Sequence, residues 1–148
     1  VTSAIDKQIP RKRVLVADDN AVNQMLAQKL LTAQGYDVDL VSDGEQATKL
    51  AATGTYYAVL MDCQMPVMDG YAASRCIRKM EHETGRSTPI IAMTASVADG
   101  DRERCFEAGM HEYLAKPFGL ESLRKVLEKF ETCDATGLTV TGQVGREP

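Results

Sequence analysis

Five short apolar runs, each too brief to make a helix, alternate along this chain with five longer segments of helical character. The runs are Val14–Ala17, Val38–Val41, Tyr57–Met61, Ile90–Met93 and Tyr113–Ala115. Residues apolar on both faces of a strand suit a sheet covered on both sides, and strand–helix alternation requires the parallel connections that put helices there. The expected fold is therefore an α/β doubly wound, five-stranded parallel sheet.

Helix signals fall between the runs. Asn20 is placed to cap a first helix over Ala21–Gln34, stopped by Gly35, with Val22, Met25, Leu26, Leu30 and Ala33 as its inner stripe. Of these, Val22, Met25 and Leu26 cannot all point inward on one stripe. Asp43 with Gln46 three residues on has the form of a capping box, opening a second helix that ends near Gly54. Asp69 caps a third, which carries Ala72, Ala73 and Ile77 and ends before Gly85. The fourth, through the charged stretch Asp99–Arg104, has a thin stripe of Val97, Cys105 and Phe106 and closes at Gly109. The last has the clearest period, with Leu120, Leu123, Leu127 and Phe130 on one face and Val126 beside them.

Composition narrows the function. With 148 residues the chain fits one domain, expected over 12–131, with a linker at 1–11 and a flexible tail at 132–148. A net charge of -4 offers no basic face for nucleic acid. No apolar stretch approaches the ~20 residues of a membrane span and no signal peptide is evident, so a cytoplasmic location is expected. The chain opens on Val1 and not Met, so a fragment of something longer is expected, with the cytoplasmic part of a membrane-anchored protein as one form of it. Cys63, Cys76, Cys105 and Cys133 lie far apart without C-x-x-C spacing and read as reduced thiols. His82 and His111 lack the second histidine of a metal motif and read as solvated loop residues. Met61, Met65, Met68 and Met93 read as packing.

Where the apolar runs end, chemistry-bearing residues begin: Asp18-Asp19, Asp62, Thr94 and Lys116. Open parallel sheets place their sites at strand carboxyl ends, and with strand order 2-1-3-4-5 the first and third strands are neighbours, so Asp18, Asp19 and Asp62 share a crevice. Two carboxylates about 5 Å apart repel by roughly 3 kcal/mol at an effective dielectric of 20. A hard divalent cation offsets that, and Mg2+ (or Mn2+) suits a few carboxylates with waters and a phosphate oxygen. Asp62, on a central strand, is the candidate nucleophile, Asp18 and Asp19 the candidate metal ligands, and Lys116 and Thr94 the groups for phosphoryl oxygens. Singly each has a plainer account, as a helix cap, a surface charge or a strand-end hydroxyl. Together they point to phosphoryl transfer onto a carboxylate. Asp69 is left as a helix cap.

The runs Val14-Leu15-Val16-Ala17-Asp18-Asp19-Asn20, Met61-Asp62-Cys63-Gln64-Met65-Pro66-Val67-Met68-Asp69-Gly70, Met93-Thr94-Ala95 and Lys116-Pro117 resemble the receiver domain of two-component signalling over Arg13 to about Phe130. That resemblance implies a flavodoxin-like fold, Asp62 as phosphoacceptor, and Mg2+ held by Asp18, Asp19, Asp62 and the backbone carbonyl of Gln64. It also implies a cis peptide before Pro117, and a switch in which Thr94 is drawn to the phosphoryl group while Tyr113 turns inward. Gln64 and Ser96, at the solvent edge, are placed to tune hydrolysis.

Asn23, Gly70-Tyr71 and the Asp62-Cys63-Gln64-Met65-Pro66 run are most similar to receivers carried behind the kinase core of hybrid sensor histidine kinases. The implied phosphodonor is a histidine kinase domain. The implied next acceptor is a histidine-containing phosphotransfer protein docking near the first helix. Such a domain catalyses its own phosphorylation and dephosphorylation within a parent transferase. The alternatives are a response regulator trimmed of its output domain and a receiver fold kept for phosphorylation-independent docking. A dehalogenase-type phosphatase needs a second Asp where Gln64 stands.

Overall fold

The computed structural model describes residues 12–53, 56–85, 87–95 and 99–136. The lead-in 1–11, Gly54, Val97, Ser96 and the tail from 137 onward lie outside them. Ten elements follow in strict alternation: β1 Arg13–Ala17, α1 Ala21–Ala33, β2 Asp37–Val41, α2 Gly44–Ala51, β3 Ala58–Asp62, α3 Gly70–Thr84, β4 Ile90–Thr94, α4 Asp99–Glu107, β5 Glu112–Ala115 and α5 Leu120–Thr136. All four strand pairings are parallel and the order is β2-β1-β3-β4-β5. This is the doubly wound, flavodoxin-like sheet expected of the alternation.

Side chains alternate across each strand, so the sheet feeds two cores. Leu15, Ala17, Val59, Met61, Ile90 and Ala92 face one side, where Ala47, Ala51, Ile77, Cys105 and Ala108 from α2, α3 and the α4 end close over them. Val14, Val16, Ala58, Leu60, Ile91 and Met93 face the other, against Ala27 and Leu31 of α1 and Leu123 and Leu127 of α5. The helices after β1 and β3 thus lie on opposite faces, which leaves a crevice between them at the strand ends.

Three caps hold as the sequence indicates. The Asn20 side chain accepts from the amides of Val22 and Asn23 at 2.8 and 3.1 Å. Asp43 accepts from the Gln46 amide at 2.8 Å, while the Gln46 side chain reaches back to the Ser42 amide at 3.0 Å. Asp69 accepts from Ala72 N at 2.8 Å, and α3 ends on Gly85 with φ of 77°, the left-handed conformation that glycine adopts without penalty.

Several readings need correction. The inner stripe of α1 is Ala27 and Leu31, with Leu30 half-buried; Val22 is 73% exposed, Met25 61%, and Leu26 and Ala33 are also exposed. Small Ala27 lets the helix sit close to the sheet, which turns the larger residues outward. In α4, Phe106 is exposed while Cys105 is buried, and Leu120 at the start of α5 is exposed. α2 stops at Ala51. His82 belongs to α3, not to a loop. His111 does lie in a connection, yet it is tied down: its Nδ1 accepts from Arg78 Nη2 at 2.8 Å and from the Ile90 amide at 3.2 Å. Cys63, Cys76 and Cys105 are reduced thiols, not joined in a disulfide.

Candidate functional site

Backbone hydrogen bonds carry the ladders one residue past the strands and so fix where the site residues begin. Asp18 N donates to Val41 O at 3.1 Å, Cys63 N to Met93 O at 3.1 Å, and Lys116 N to Thr94 O at 2.7 Å. Gln24 ties this edge together: its side-chain amide donates to Asp18 O at 2.6 Å and, as a second donor, to Val41 O at 3.0 Å. The sequence carried no signal for that role of Gln24, since it depends on β2 ending beside β1.

On this frame the strand-end side chains converge. Asp18, Asp19 and Asp62 each present an oxygen, and those oxygens lie within 4.8 Å of one another. Lys116 Nζ sits 3.1 Å from Asp18 Oδ2 and 3.2 Å from Asp62 Oδ2. The Gln64 amide donates to Asp62 Oδ1 at 3.2 Å. Asp18, Asp62 and Thr94 are buried and Asp19 is exposed, so the cluster has one side open to solvent. The peptide between Lys116 and Pro117 is cis, as the resemblance implies.

Electrostatics reflect this crowding. Burial raises the Asp62 carboxyl above its ordinary range, the Asp18 charge adds to the rise, and the Gln64 amide and Lys116 oppose it. For Lys116, burial works against the charged form, but its hydrogen bond to Asp18 and the charge of Asp62 outweigh that and hold the ammonium more firmly protonated. The donor set is entirely hard oxygen, with no thiolate or imidazole, which is the chemistry that Mg2+ selects. The neighbouring Cys63 thiol is buried, which pushes it up to about 12; it lies against Tyr71 and Cys105, and the Asp62 charge adds to the rise.

Two glycines are required by close backbone approach. A Cβ on Gly70 would stand 2.2 Å from Asp62 O, and one on Gly44 would stand 2.2 Å from Met68 O. The Gly70 amide donates to Cys63 O at 3.1 Å and the Gly44 amide to Met68 O at 3.0 Å. The loop after Asp62 is thereby strapped at both ends. Within it, Met68 N donates to Pro66 O at 2.6 Å around Val67, which has φ of 67° and is 78% exposed. A β-branched residue at the apex of such a γ-turn is strained.

The crevice has a volume of about 600 Å³, and its walls include Asp19, Asn20, Asn23, Asp62, Gln64, Thr94 and Lys116 together with Tyr71 and Arg104. The last two are not legible from the sequence as site residues, because α4 has almost no apolar period to show which way Arg104 faces. Tyr113 lies across β4 from the crevice floor, paired with Ala92, half-buried, with the Arg102 guanidinium 5.4 Å over its ring.

Comparison with known proteins agrees with this geometry. The family profile described as the response regulator receiver domain matches residues 14–128. The chain is 37% identical over 135 residues to the hybrid signal transduction protein dokA of Dictyostelium discoideum, covering 91% of this chain and 8% of that protein. It is 40% identical over 126 residues to hybrid signal transduction histidine kinase I of the same organism, covering 82% and 7%. The chain thus spans less than a tenth of the length of either relative. Among solved structures, the receiver domain of sensor histidine kinase PA1611 from Pseudomonas aeruginosa, with magnesium in its active-site cleft, is 47% identical with a TM-score of 0.75, covering 82% of this chain and 98% of that one. The Saccharomyces cerevisiae receiver domain of Ssk1, solved with the phosphotransfer protein Ypd1, is 28% identical with a TM-score of 0.80, covering 85% and 92%. With the strand-end cluster, the sheet order and the family match in agreement, the chain belongs to the response regulator receiver domains of two-component signalling.

Proposed function

We propose that this domain accepts a phosphoryl group from a phosphohistidine onto Asp62, in a Mg2+-dependent reaction, and relays it to a histidine-containing phosphotransfer protein. The observation that carries this is Lys116 Nζ standing 3.1 and 3.2 Å from Asp18 and Asp62 in a cluster of three carboxylates. A surface ion pair needs one carboxylate; two buried carboxylates on one ammonium, with the exposed Asp19 carboxylate beside them, form a site for a cation and a transferring anion. Asp18, Asp19, Asp62 and the Gln64 carbonyl are the groups that would hold Mg2+ (or Mn2+), which when bound neutralises charge on phosphoryl oxygens.

The remaining steps belong to the chain. An Asp62 carboxylate oxygen attacks phosphorus, the P–N bond to the donor imidazole breaks, and its electron pair returns to the ring nitrogen. Lys116 and the Thr94 hydroxyl meet the phosphoryl oxygens as charge shifts toward Asp62. Movement of Thr94 then frees or traps Tyr113 on the neighbouring strand, which is the switch.

A hybrid kinase context is supported by relatives of that description, and the donor is then a sensor histidine kinase domain on the cytoplasmic side. Among the described residues no helix is long and apolar enough to cross a membrane. The phosphotransfer partner docks on the outward residues of α1, Val22, Met25 and Leu26, beside a second cavity of about 330 Å³ lined by Leu26, Phe118 and Lys116 that adjoins the crevice. The test is incubation with acetyl phosphate and Mg2+ followed by intact mass. Wild type gains one phosphoryl group, whereas Asp62→Asn and wild type with a chelator do not. An equal gain in Asp62→Asn refutes the assignment.

A further inference from the structure

The α4 helix is held in an unusual way. Among its described side chains only Cys105 is buried. Its other visible ties are two arginines that straddle it: Arg102, 5.7 Å from Phe106 and 5.4 Å from the Tyr113 ring, and Arg104, 4.2 Å over the Tyr71 ring. Only the second reaches the crevice, where Arg104 and Asp62 line the same cavity.

Among the described residues no carboxylate pairs with Arg104, and the ion pairs there employ other cations. Lys116 is by contrast already committed to Asp18 and Asp62. Converting the Asp62 carboxylate into an aspartyl phosphate replaces one negative charge by about two, so the crevice becomes more negative by roughly one charge whether or not a metal is bound. Among the described residues, Arg104 is the cation on its wall without a carboxylate partner. An aromatic face is a weaker partner than phosphoryl oxygens, for which a guanidinium offers a matching fork of donors.

We propose that Arg104 is a phosphoryl-binding residue supplied by α4, which leaves the face of Tyr71 for the phosphoryl oxygens on Asp62 and so draws α4 toward the crevice. This rests on Asp62 being the acceptor. It gives the thinly anchored α4 a direct sense of the phosphorylation state, alongside the route through Thr94 and Tyr113. No new bond to Arg104 is formed; the contact is a charge-assisted hydrogen bond.

The experiment uses the trifluoroberyllate anion, BeF3−, as a phosphoryl mimic in Mg2+ buffer, with binding titrated and hydrogen exchange of α4 read by mass spectrometry. Arg104→Gln is expected to weaken trifluoroberyllate binding by about three- to ten-fold, the scale of one partly exposed ionic contact. In wild type α4 amides gain protection on binding, in Arg104→Gln they do not, and Arg104→Lys recovers part of both effects by keeping the charge. Unliganded Arg104→Gln sets its own baseline, because losing the Tyr71 contact loosens α4 by itself, and the effect read is the change on adding the anion. Wild-type affinity in Arg104→Gln, or an undiminished gain in α4 protection over that baseline, overturns the proposal. Asp62→Ala distinguishes the underlying reading: if it binds trifluoroberyllate as wild type does, Asp62 is not the acceptor and both fail.

Discussion

At the scale of single residues, the strand-end positions are those the sequence marks most clearly. An aspartate, threonine or lysine after a fully apolar run is visible without any tertiary information, and Asp18, Asp62, Thr94 and Lys116 are brought together because parallel strands end at one edge. Other residues depend on neighbours remote in sequence. Ser74 is fully buried in α3, and its hydroxyl is the one buried side-chain polar atom among the described residues that lacks a hydrogen-bond partner. A buried hydroxyl left unpaired costs about 1–3 kcal/mol. Ser74→Ala, which removes only that oxygen, is expected to raise the free energy of unfolding in urea by about 1 kcal/mol; a loss of stability would mean the hydroxyl is paired. Val67 presents the other local debt, a β-branched side chain at φ of 67° with almost no packing to lose. Asparagine tolerates that conformation, so Val67→Asn is expected to stabilise by about 1 kcal/mol. An unchanged urea midpoint would show that the turn relaxes in solution.

At the scale of elements, periodicity was informative where packing is conventional and misleading where it is not. α5 buries Leu123, Val126 and Leu127 in line with its repeat. α1 does the reverse, packing through Ala27 and Leu31 and presenting Val22 and Met25 to solvent. Nothing in a 3.6-residue pattern says which of two overlapping apolar stripes is the inner one; the close approach allowed by Ala27 decides it. Outward apolar residues beside the crevice cost little stability to replace, so the double substitution Val22→Ser, Met25→Ser should leave the unfolding free energy within about 0.5 kcal/mol of wild type. Phosphoryl transfer to a histidine-containing phosphotransfer protein should nevertheless slow by about ten-fold, measured by rapid quench, if these side chains anchor the partner. Transfer at the wild-type rate would move the docking face elsewhere.

At the scale of the whole molecule, the end of the sheet away from the crevice is closed by a polar network that joins α3, β4 and β5. Arg78 donates through Nε to Gly109 O at 2.7 Å, through Nη2 to Thr88 O and His111 Nδ1 at 2.8 Å each, and pairs through Nη1 with Glu81. Glu81 Oε2 in turn accepts from the Thr88 amide at 2.8 Å. Two donors converge on His111 Nδ1, so that nitrogen carries no proton; burial, and then the Arg78 charge, lower the histidine below its ordinary 6.5, with Glu81 opposing. The unfolded chain therefore takes up the proton first. Stability from this contact is present above pH 6.5 and is lost as pH falls from there through the folded value. Wild type should lose urea stability over that interval more steeply than His111→Gln, and parallel pH profiles would exclude the network as the cause. His111 is the loop histidine that the sequence indicates, but its partners lie more than twenty residues away, which is why the sequence alone showed nothing that ties it down. The crevice at the opposite end carries the central claim, that Asp62 is the group phosphorylated. Phosphorylating the domain from a phosphohistidine donor in Mg2+, reducing the acyl phosphate with borohydride and sequencing the peptides by mass spectrometry tests it most directly. Homoserine at position 62 is the predicted product; homoserine at 18 or 19, or phosphate retained on a serine or threonine, would contradict it.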